Sequence, residues 1–267
     1  AKEENMLAYL YDEDRWPSGS AGGLVTKNKA FREKLLIMSE TPVEFTDKEN
    51  GVKEGLPYLL AVFDIVLDED GKLKSYKEIS SGDEAEGIKK YAYVKTTPES
   101  GWFNNQSYVD TLSKEAMQKF IDITYEGYKK SVGDYFGNII PSIFTDEPEF
   151  ARKTTLAFAA SHEDASFPWT TDFPDTYKEA FGESIIDKLP ELFWDLPDNK
   201  VSAVRYHYHD HICERFAQSF ADQCGAWCGQ NGIALTGHMM AEATLDSQTL
   251  FLGEAMRSYR SFEIPGI

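Results

Sequence analysis

Short apolar runs that end abruptly in polar residues recur along the chain. Four of them cover residues 6–11, 139–145, 233–237 and 262–264, and the first three run directly into carboxylates or a histidine. Runs of this length between turn residues are typical of buried strands, and parallel strands bring their carboxyl ends to one edge of a sheet. The pattern predicts an α/β fold of the (β/α)8 TIM-barrel type, with its functional groups on the loops after the strands.

The pattern changes in the region that follows the first run. Segments 58–67, 73–79 and 90–96 are rich in β-branched and aromatic residues, and Asp68-Glu69-Asp70-Gly71 has the composition of a hairpin turn. We therefore expect a small antiparallel β insertion on the barrel.

Helical periodicity predicts two long helices. One begins at Ser113, a good N-cap, and stops at Gly133, and the other runs over about 200–230 and ends at Gly232. Short helices at about 28–36, 175–181 and 185–193, and a long loop that contains residues 167–170, complete the prediction.

These elements divide the chain into the N-terminal part of a barrel over 1–42, the insertion over 43–100, and the continuation of the barrel over 101–267. Only about four to six of the eight strand–helix pairs of a complete barrel can be recognised. We therefore expect a partial barrel that belongs to a longer protein with further domains.

Charge and composition narrow the range of partners. The formal net charge is -18, so extended contact with nucleic acid or an anionic membrane is unfavourable. A neutral carbohydrate is not repelled, and the 13% aromatic content suits both stacking on sugars and a large core. No apolar stretch reaches the ~20 residues of a membrane span, and no signal peptide opens the chain.

The cysteines indicate the redox state of the compartment in which the protein is expected. Cys213, Cys224 and Cys228 are odd in number and fall in one predicted helix, which indicates free thiols rather than a disulfide framework. A reduced, cytoplasmic location is therefore expected.

Carboxylates after the second and third runs are the candidate catalytic groups. Glu147 lies at the end of a buried strand with Asp146 and Glu149 beside it, and acids crowded together raise one another's pKa, as a general acid requires. Capping of a helix or loop is the structural alternative. Glu242 follows the next strand, and two facing carboxyls are what glycoside hydrolysis needs. His238, on the same loop, would bind a sugar hydroxyl or orient a carboxylate.

Loop residues supply the predicted substrate contacts. The carboxylates that close the first strand could bind sugar hydroxyls, and exposed loop tryptophans could stack on sugar rings, although a loop tryptophan often pins its loop to the core instead. The substrate-binding candidates are Asp12, Glu13, Arg15, Trp16, Trp102, Asp146, Trp169 and His238.

A histidine cluster offers a different chemistry. His207 and His211 share a helix face, yet Tyr208 stands where zinc proteases have glutamate, so no metal site is predicted and hydrogen bonding is favoured. A metal-dependent hydrolase that uses this cluster remains an alternative function.

Four ordered stretches together carry a family resemblance. They are residues 10–23, Ile143-Phe144-Thr145-Asp146-Glu147-Pro148, Leu235-Thr236-Gly237-His238 with Glu242, and Phe262-Glu263-Ile264-Pro265-Gly266. The chain resembles large bacterial (β/α)8 glycoside hydrolases, in particular those similar to the α-L-rhamnosidases of glycoside hydrolase family 106. The Thr-Asp-Glu-Pro stretch is also similar to the Asn-Glu-Pro strand end of glycosidase clan A.

The resemblance implies that Glu147 is the proton donor. Asp146 stands where clan A has asparagine, and the partner carboxylate is either Glu242 or lies outside this chain. Rhamnosidases of this type are associated with calcium, which would suit Asp146 or Glu149, although no cofactor is required by the motifs. The expected function is cleavage of a terminal sugar from a poly- or oligosaccharide, and a non-catalytic carbohydrate-binding barrel is a further alternative.

Overall fold

The computed structural model describes residues 1–266, and its strands and helices are numbered here in chain order. The strands within this range are β1 (Leu10–Tyr11), β2 (Lys34–Ser39), β3 (Tyr58–Leu67), β4 (Leu73–Glu78), β5 (Ile88–Thr96), β6 (Ser142–Asp146), β7 (Ala165–Trp169), β8 (Ala234–His238) and β9 (Ile264–Pro265). The α-helices are α1 (Lys48–Glu54), α2 (Lys114–Phe120), α3 (Glu126–Val132), α4 (Phe173–Phe181), α5 (Pro190–Phe193), α6 (Ala203–Phe216), α7 (Asp222–Gln230), α8 (Leu245–Phe251) and α9 (Ala255–Tyr259).

The chain forms two compact units. The first contains residues 1–33, 97–150 and the chain from Cys213 onward, and the second contains residues 34–96 and 151–212. The three-part division expected from the sequence stays a prediction.

A parallel sheet forms the centre of the first unit. Its strand order is β1-β6-β8-β9, with Phe144 opposite Thr236 and Asp146 opposite His238 in the central pair. The strands β6 and β8 are short apolar runs, as the sequence predicts, and Ile143 and Leu235 are completely buried. Since the strands are parallel, the polar residues that follow them emerge at one edge.

An antiparallel sheet forms the second unit, in the order β4-β3-β5-β2-β7. Its core includes Ile37, Val62, Tyr91 and Tyr93, one from β2, one from β3 and two from β5. The three strands predicted between residues 43 and 100 are present, but β5 pairs further with β2, which in turn pairs with β7.

The predicted (β/α)8 barrel is wrong for the described chain. The four parallel strands form an open sheet, and the other five form a separate antiparallel sheet. The parallel sheet has two unpaired edges, at β1 and β9, so it does not close on itself within residues 1–266.

Two local predictions fail because the segments concerned pair with each other as strands of the antiparallel sheet. Residues 28–36 form a single 3-10 turn at Lys29–Phe31 followed by the strand β2, rather than a helix. Residues 167–169, predicted to lie in a long loop, belong to the strand β7, which pairs with β2 so that Pro168 lies opposite Leu35. Because β7 is an edge strand, it tolerates the missing N–H of proline.

The two long helices are confirmed, and each contains one π-helical turn. The Ser113 side chain accepts a hydrogen bond from the N–H of Ala116, and the first helix ends at Gly133. The π turns cover Ile121–Tyr125 and Ala217–Ala221, and Phe120 stacks on Phe220 where they pass each other, with ring centroids 6.1 Å apart.

The cysteines of the second helix are free thiols, and Cys224 and Cys228 are buried. Among the helices of residues 1–266, none combines the length and the apolar character that crossing a membrane requires.

Gly237 permits the close approach of β8 to β6. It lies opposite Thr145 with φ +132°, and a Cβ atom at this position would overlap the carbonyl oxygen of Thr145. Both the backbone conformation and the contact therefore require glycine.

We expect the Gly237→Ala variant to lose about 3 kcal/mol or more of unfolding free energy, because it adds backbone strain and a steric overlap at the sheet centre. Urea denaturation followed by circular dichroism measures this loss. Gly232→Ala is the matched control, since Gly232 also has a positive φ (+69°) but has open space around its Cβ position. A loss no larger than the roughly 1–2 kcal/mol expected for the control would contradict the argument.

Candidate active site

Side chains from three adjacent parallel strands meet at the carboxyl edge of the sheet. Asp146, at the end of β6, accepts a hydrogen bond of 2.5 Å from the Tyr11 hydroxyl on β1. On its other side, the Asp146 Oδ1 atom lies 3.2 Å from the His238 Nε2 atom on β8. The sheet register thus fixes Asp146 between a phenol and an imidazole.

Glu147 projects from the same edge. Its backbone has a left-handed φ of +50°, which is uncommon for a residue other than glycine, and its N–H donates to the carbonyl oxygen of His238 at 3.0 Å. The carboxylate lies 3.9 Å from His238 Nδ1, and its side chain is 31% exposed. Solvent or a ligand can therefore reach Glu147, and His238 lies between the two acids.

Glu242 is held by a different set of groups. The Tyr259 hydroxyl of α9 donates to its Oε2 atom, and the N–H of Met239 donates to the same atom at 3.4 Å. These contacts fix Glu242 on the loop after β8. Its pairing with Glu147 as a catalytic couple stays a prediction.

Asp12 is completely buried beneath the edge of the sheet. Its carboxylate accepts hydrogen bonds from the hydroxyls of Ser18, at 2.6 Å, and Tyr125, at 2.9 Å. Burial raises the pKa of Asp12 to about 7, and the hydrogen bonds from Ser18 and Tyr125 act in the opposite direction. The Asp12 carboxyl has no exposed surface that a ligand could contact directly. A substrate contact for Asp12 stays a prediction.

Ser18 joins this buried acid to the candidate site, a role that the sequence analysis missed. Its hydroxyl donates to Asp12 and accepts from the N–H of Asp146 at 2.8 Å. Its own N–H donates to the carbonyl oxygen of Asp146 at 2.9 Å. The loop after β1 is thereby attached to the end of β6.

Glu13 organises the same loop. One carboxylate oxygen accepts the N–H groups of Gly19, Ser20 and Ala21 at 2.7–3.0 Å, and the other accepts those of Asp14 and Gly22 at 2.6–2.8 Å. Burial raises the pKa of Glu13, and the amide hydrogen bonds oppose this effect. Both oxygens are engaged within the loop, and binding of a substrate hydroxyl by Glu13 stays a prediction.

Arg15, Trp16 and Trp102 form an exposed surface that we call the tryptophan platform. The two indoles meet edge to face with centroids 5.9 Å apart, and the Trp102 indole N–H donates to the carbonyl oxygen of Trp16 at 2.7 Å. The Arg15 guanidinium lies 5.7 Å from the Trp102 ring centroid. Trp16 is 46% and Trp102 47% exposed, so both rings offer surface to a ligand.

Trp169 lies in the other compact unit and is 1% exposed. Its ring packs against Phe173 within the core of that unit. The buried indole has no surface on which a sugar could stack, and β7 rather than a loop supplies this residue.

Glu149 is a further acid near Glu147. Burial, together with the charge of Glu147, raises the pKa of Glu149 to about 7. Its buried Oε2 atom has no hydrogen-bond partner among the described residues. A proton on this carboxyl removes the cost of burying a charge.

The predicted histidine cluster divides into separate contacts in the second unit. The His207 ring stacks on Phe181 with centroids 4.2 Å apart, and the His211 Nε2 atom lies 3.0 Å from the Thr176 hydroxyl. Within residues 1–266, no group of three or more His, Cys, Asp or Glu side chains is arranged to hold a metal ion.

Calcium requires about six to eight oxygen ligands, and the acids named for it do not gather them. Asp146 is engaged by Tyr11 and His238, and Glu149 has one buried oxygen without a partner. These two residues do not fit a calcium site by themselves, and a calcium requirement stays a prediction.

Comparisons with known proteins give one distant similarity. No model of a protein family matches the chain, and no curated protein matches it. Among solved structures, the chain is similar to a rhamnosidase from Novosphingobium sp. PP1Y, with 16% sequence identity and a TM-score of 0.45. The match covers 74% of this chain and 19% of the rhamnosidase, so the chain spans about a fifth of that protein.

The raised pKa values of Asp12 and Glu149 predict the pH dependence of stability. The folded protein holds these two protons more tightly than the unfolded chain, in which carboxyls ionise near pH 4. The corresponding stability is complete below that pH and is lost as the pH rises through about 7. We expect the loss to be roughly 1.4 kcal/mol per pH unit for each group.

Urea denaturation between about pH 4 and pH 8 tests this expectation. The difference between the unfolding free energies of the Glu149→Gln variant and the wild type should change in favour of the variant as the pH rises. The wild type loses the stability that its Glu149 proton provides, whereas the variant has no proton to lose at this position. Glu3→Gln is the control, since Glu3 is exposed and should leave the pH profile unchanged. A constant difference between Glu149→Gln and the wild type would contradict the assignment.

Proposed function

We propose that this chain carries the acid–base centre of a glycoside hydrolase, with Glu147 as the proton donor. The supporting observation is the group of Asp146, Glu147 and His238 at the carboxyl ends of two paired parallel strands. An imidazole between two carboxylates can hold one acid in orientation while the other exchanges a proton with a substrate.

Glu147 is the acid in this group that a substrate can reach. Asp146 is engaged by Tyr11 and His238, and Asp12 is completely buried. The Glu147 side chain is 31% exposed, and its carboxylate lies 3.9 Å from the His238 Nδ1 atom. It is therefore free to hydrogen-bond a glycosidic oxygen.

Glu242 is the proposed partner carboxylate, as nucleophile or as the base that activates water. Its hydrogen bonds to Tyr259 and Met239 would hold one oxygen in place and leave the other for chemistry. Carboxyl groups about 5–5.5 Å apart indicate retention of configuration, and about 6.5–9.5 Å indicates inversion.

A neutral sugar is the proposed substrate. The net charge of -18 disfavours anionic substrates, and the tryptophan platform, attached to Asp146 through the Ser18 loop, offers two exposed rings for stacking. The motif resemblance makes terminal α-L-rhamnosides of oligo- or polysaccharides the first substrates to test. Further domains of a longer chain and a cytoplasmic location remain proposals of the same kind.

Carbohydrate binding without turnover is the second candidate function. The exposed Trp16–Trp102 pair favours it, because such a pair binds a sugar face whether or not a bond is cleaved. Product formation separates the two functions.

We expect Glu147→Gln to reduce hydrolysis of aryl glycosides by about 10²- to 10⁴-fold, because the amide cannot donate the proton that the leaving oxygen needs. The measurement is the rate of phenol release by the natural full-length protein over a panel that includes α-L-rhamnosides. Glu3→Gln is the control for the loss of a negative charge, and circular dichroism verifies folding. Unchanged hydrolysis by a folded Glu147→Gln protein would eliminate Glu147 as the proton donor.

We also expect Trp102→Ala to weaken sugar binding by about 1–3 kcal/mol, because it removes one ring of the tryptophan platform and its hydrogen bond to Trp16. Calorimetric titration with the best substrate of the panel, in the Glu147→Gln background, measures the change without turnover. Phe158→Ala is the control, since Phe158 is an exposed aromatic residue of the other unit. Equal binding by the two variants would remove the platform from the proposal.

A further inference from the structure

An open groove of about 600 Å³ runs along the outer edge of β1 in the first unit. Strand β1, the loop after it and the π turn with α3 provide its walls. Small-molecule sites have volumes of about 300–1,000 Å³ and are mostly apolar with a few polar groups. The groove is therefore large enough for an organic group of one or two rings.

The walls of the groove are apolar with polar points. Leu10, Leu24, Ile123 and Val132 contribute apolar surface, and the Tyr128 hydroxyl donates to the Tyr11 carbonyl oxygen at 2.8 Å. This hydrogen bond satisfies a carbonyl at the unpaired edge of β1. A flat apolar ligand can therefore lie against this edge without burying a carbonyl oxygen that lacks a hydrogen bond.

The charges around the groove select against anions. Asp14 contributes an exposed carboxylate to its wall, and the chain has a net charge of -18. A negatively charged ligand would be repelled by this local and overall field. An uncharged ligand carries no such penalty.

Tyr11 connects the groove to the candidate active site. Its side chain is 38% exposed and contributes to the groove wall, and its hydroxyl donates to Asp146. A ligand with its sugar at Asp146 and Glu147 would meet the groove directly beyond the Tyr11 ring.

We propose that this groove binds the leaving group of a glycoside, and that the group is uncharged, planar and apolar. This assignment to the leaving group rests on the proposed function. The prediction that such a group binds in the groove has a separate basis, namely the volume, the apolar walls and the charge of the groove.

Gly127 offers a direct test of occupancy. It is a helical glycine in the wall of the groove, and a Cβ atom at this position would meet no atom within 4 Å. Gly127→Leu therefore adds bulk to the groove and removes a helix-destabilising glycine. Gly229→Leu is the matched control, because Gly229 is also an exposed helical glycine with open space at Cβ but does not contribute to the groove.

The experiment is titration of 2-naphthol and of its anionic analogue 2-naphthoate into the wild type and both variants, by calorimetry and ligand-observed NMR. We expect saturable 2-naphthol binding that Gly127→Leu weakens at least fivefold and Gly229→Leu leaves unchanged. We expect 2-naphthoate to bind at least tenfold more weakly than 2-naphthol. Ser131→Leu, at another exposed position of the groove wall, is the second blocking variant if Gly127→Leu does not fold.

Three binding results would each overturn the proposal: absence of saturable 2-naphthol binding, equal binding by the blocked and control variants, or equal affinity for 2-naphthoate. A second copy of the chain as occupant would appear as a dimer in light scattering that Gly127→Leu dissociates, and this result also overturns it. Hydrolysis is not needed for these measurements, so failure of the proposed function appears separately, as 2-naphthol binding without cleavage of any 2-naphthyl glycoside.

Discussion

The hydroxyl of Ser18 is the contact on which the candidate site depends. It donates to the buried Asp12 and accepts from the backbone of Asp146, so it joins the ends of β1 and β6 through one oxygen. The loop that begins at Asp12 therefore returns to the strand end where Asp146 and Glu147 emerge. The tryptophan platform, the groove wall and the acids are held together by this local connection rather than by the strands alone.

The parallel sheet is the second feature on which the candidate site depends. Gly237 lets β8 approach β6 closely, and the resulting register sets His238 opposite Asp146. The imidazole then lies between Asp146 and Glu147, so that a feature of backbone packing determines which carboxylates lie beside His238. In the other unit, the same chain builds an antiparallel sheet with a separate aromatic core.

Local sequence patterns were sufficient where one short segment decides the outcome. The apolar runs before Asp146 and His238 form the predicted strands, and Ser113 caps its helix, because burial and capping depend on neighbouring residues. The barrel and the helix at 28–36 failed because β2 is fixed by β5 and β7, and β7 lies some 130 residues further along the chain. The surroundings of Asp12 and Glu13 were equally hidden, since they depend on where the following glycine-rich loop folds back.

The hydrogen bonds between the Glu13 carboxylate and the backbone of its loop have a consequence for the binding of anions. Consecutive backbone N–H groups in a glycine-rich turn form the kind of cradle that many proteins use for phosphate. Here Gly19, Ser20, Ala21 and Gly22 direct those groups at the chain's own carboxylate. The cradle is filled from within, so nucleotides and phosphorylated sugars find no anion-binding turn in this loop. The N–H groups that in other proteins bind an anion from solution therefore hold this loop closed around the Glu13 side chain.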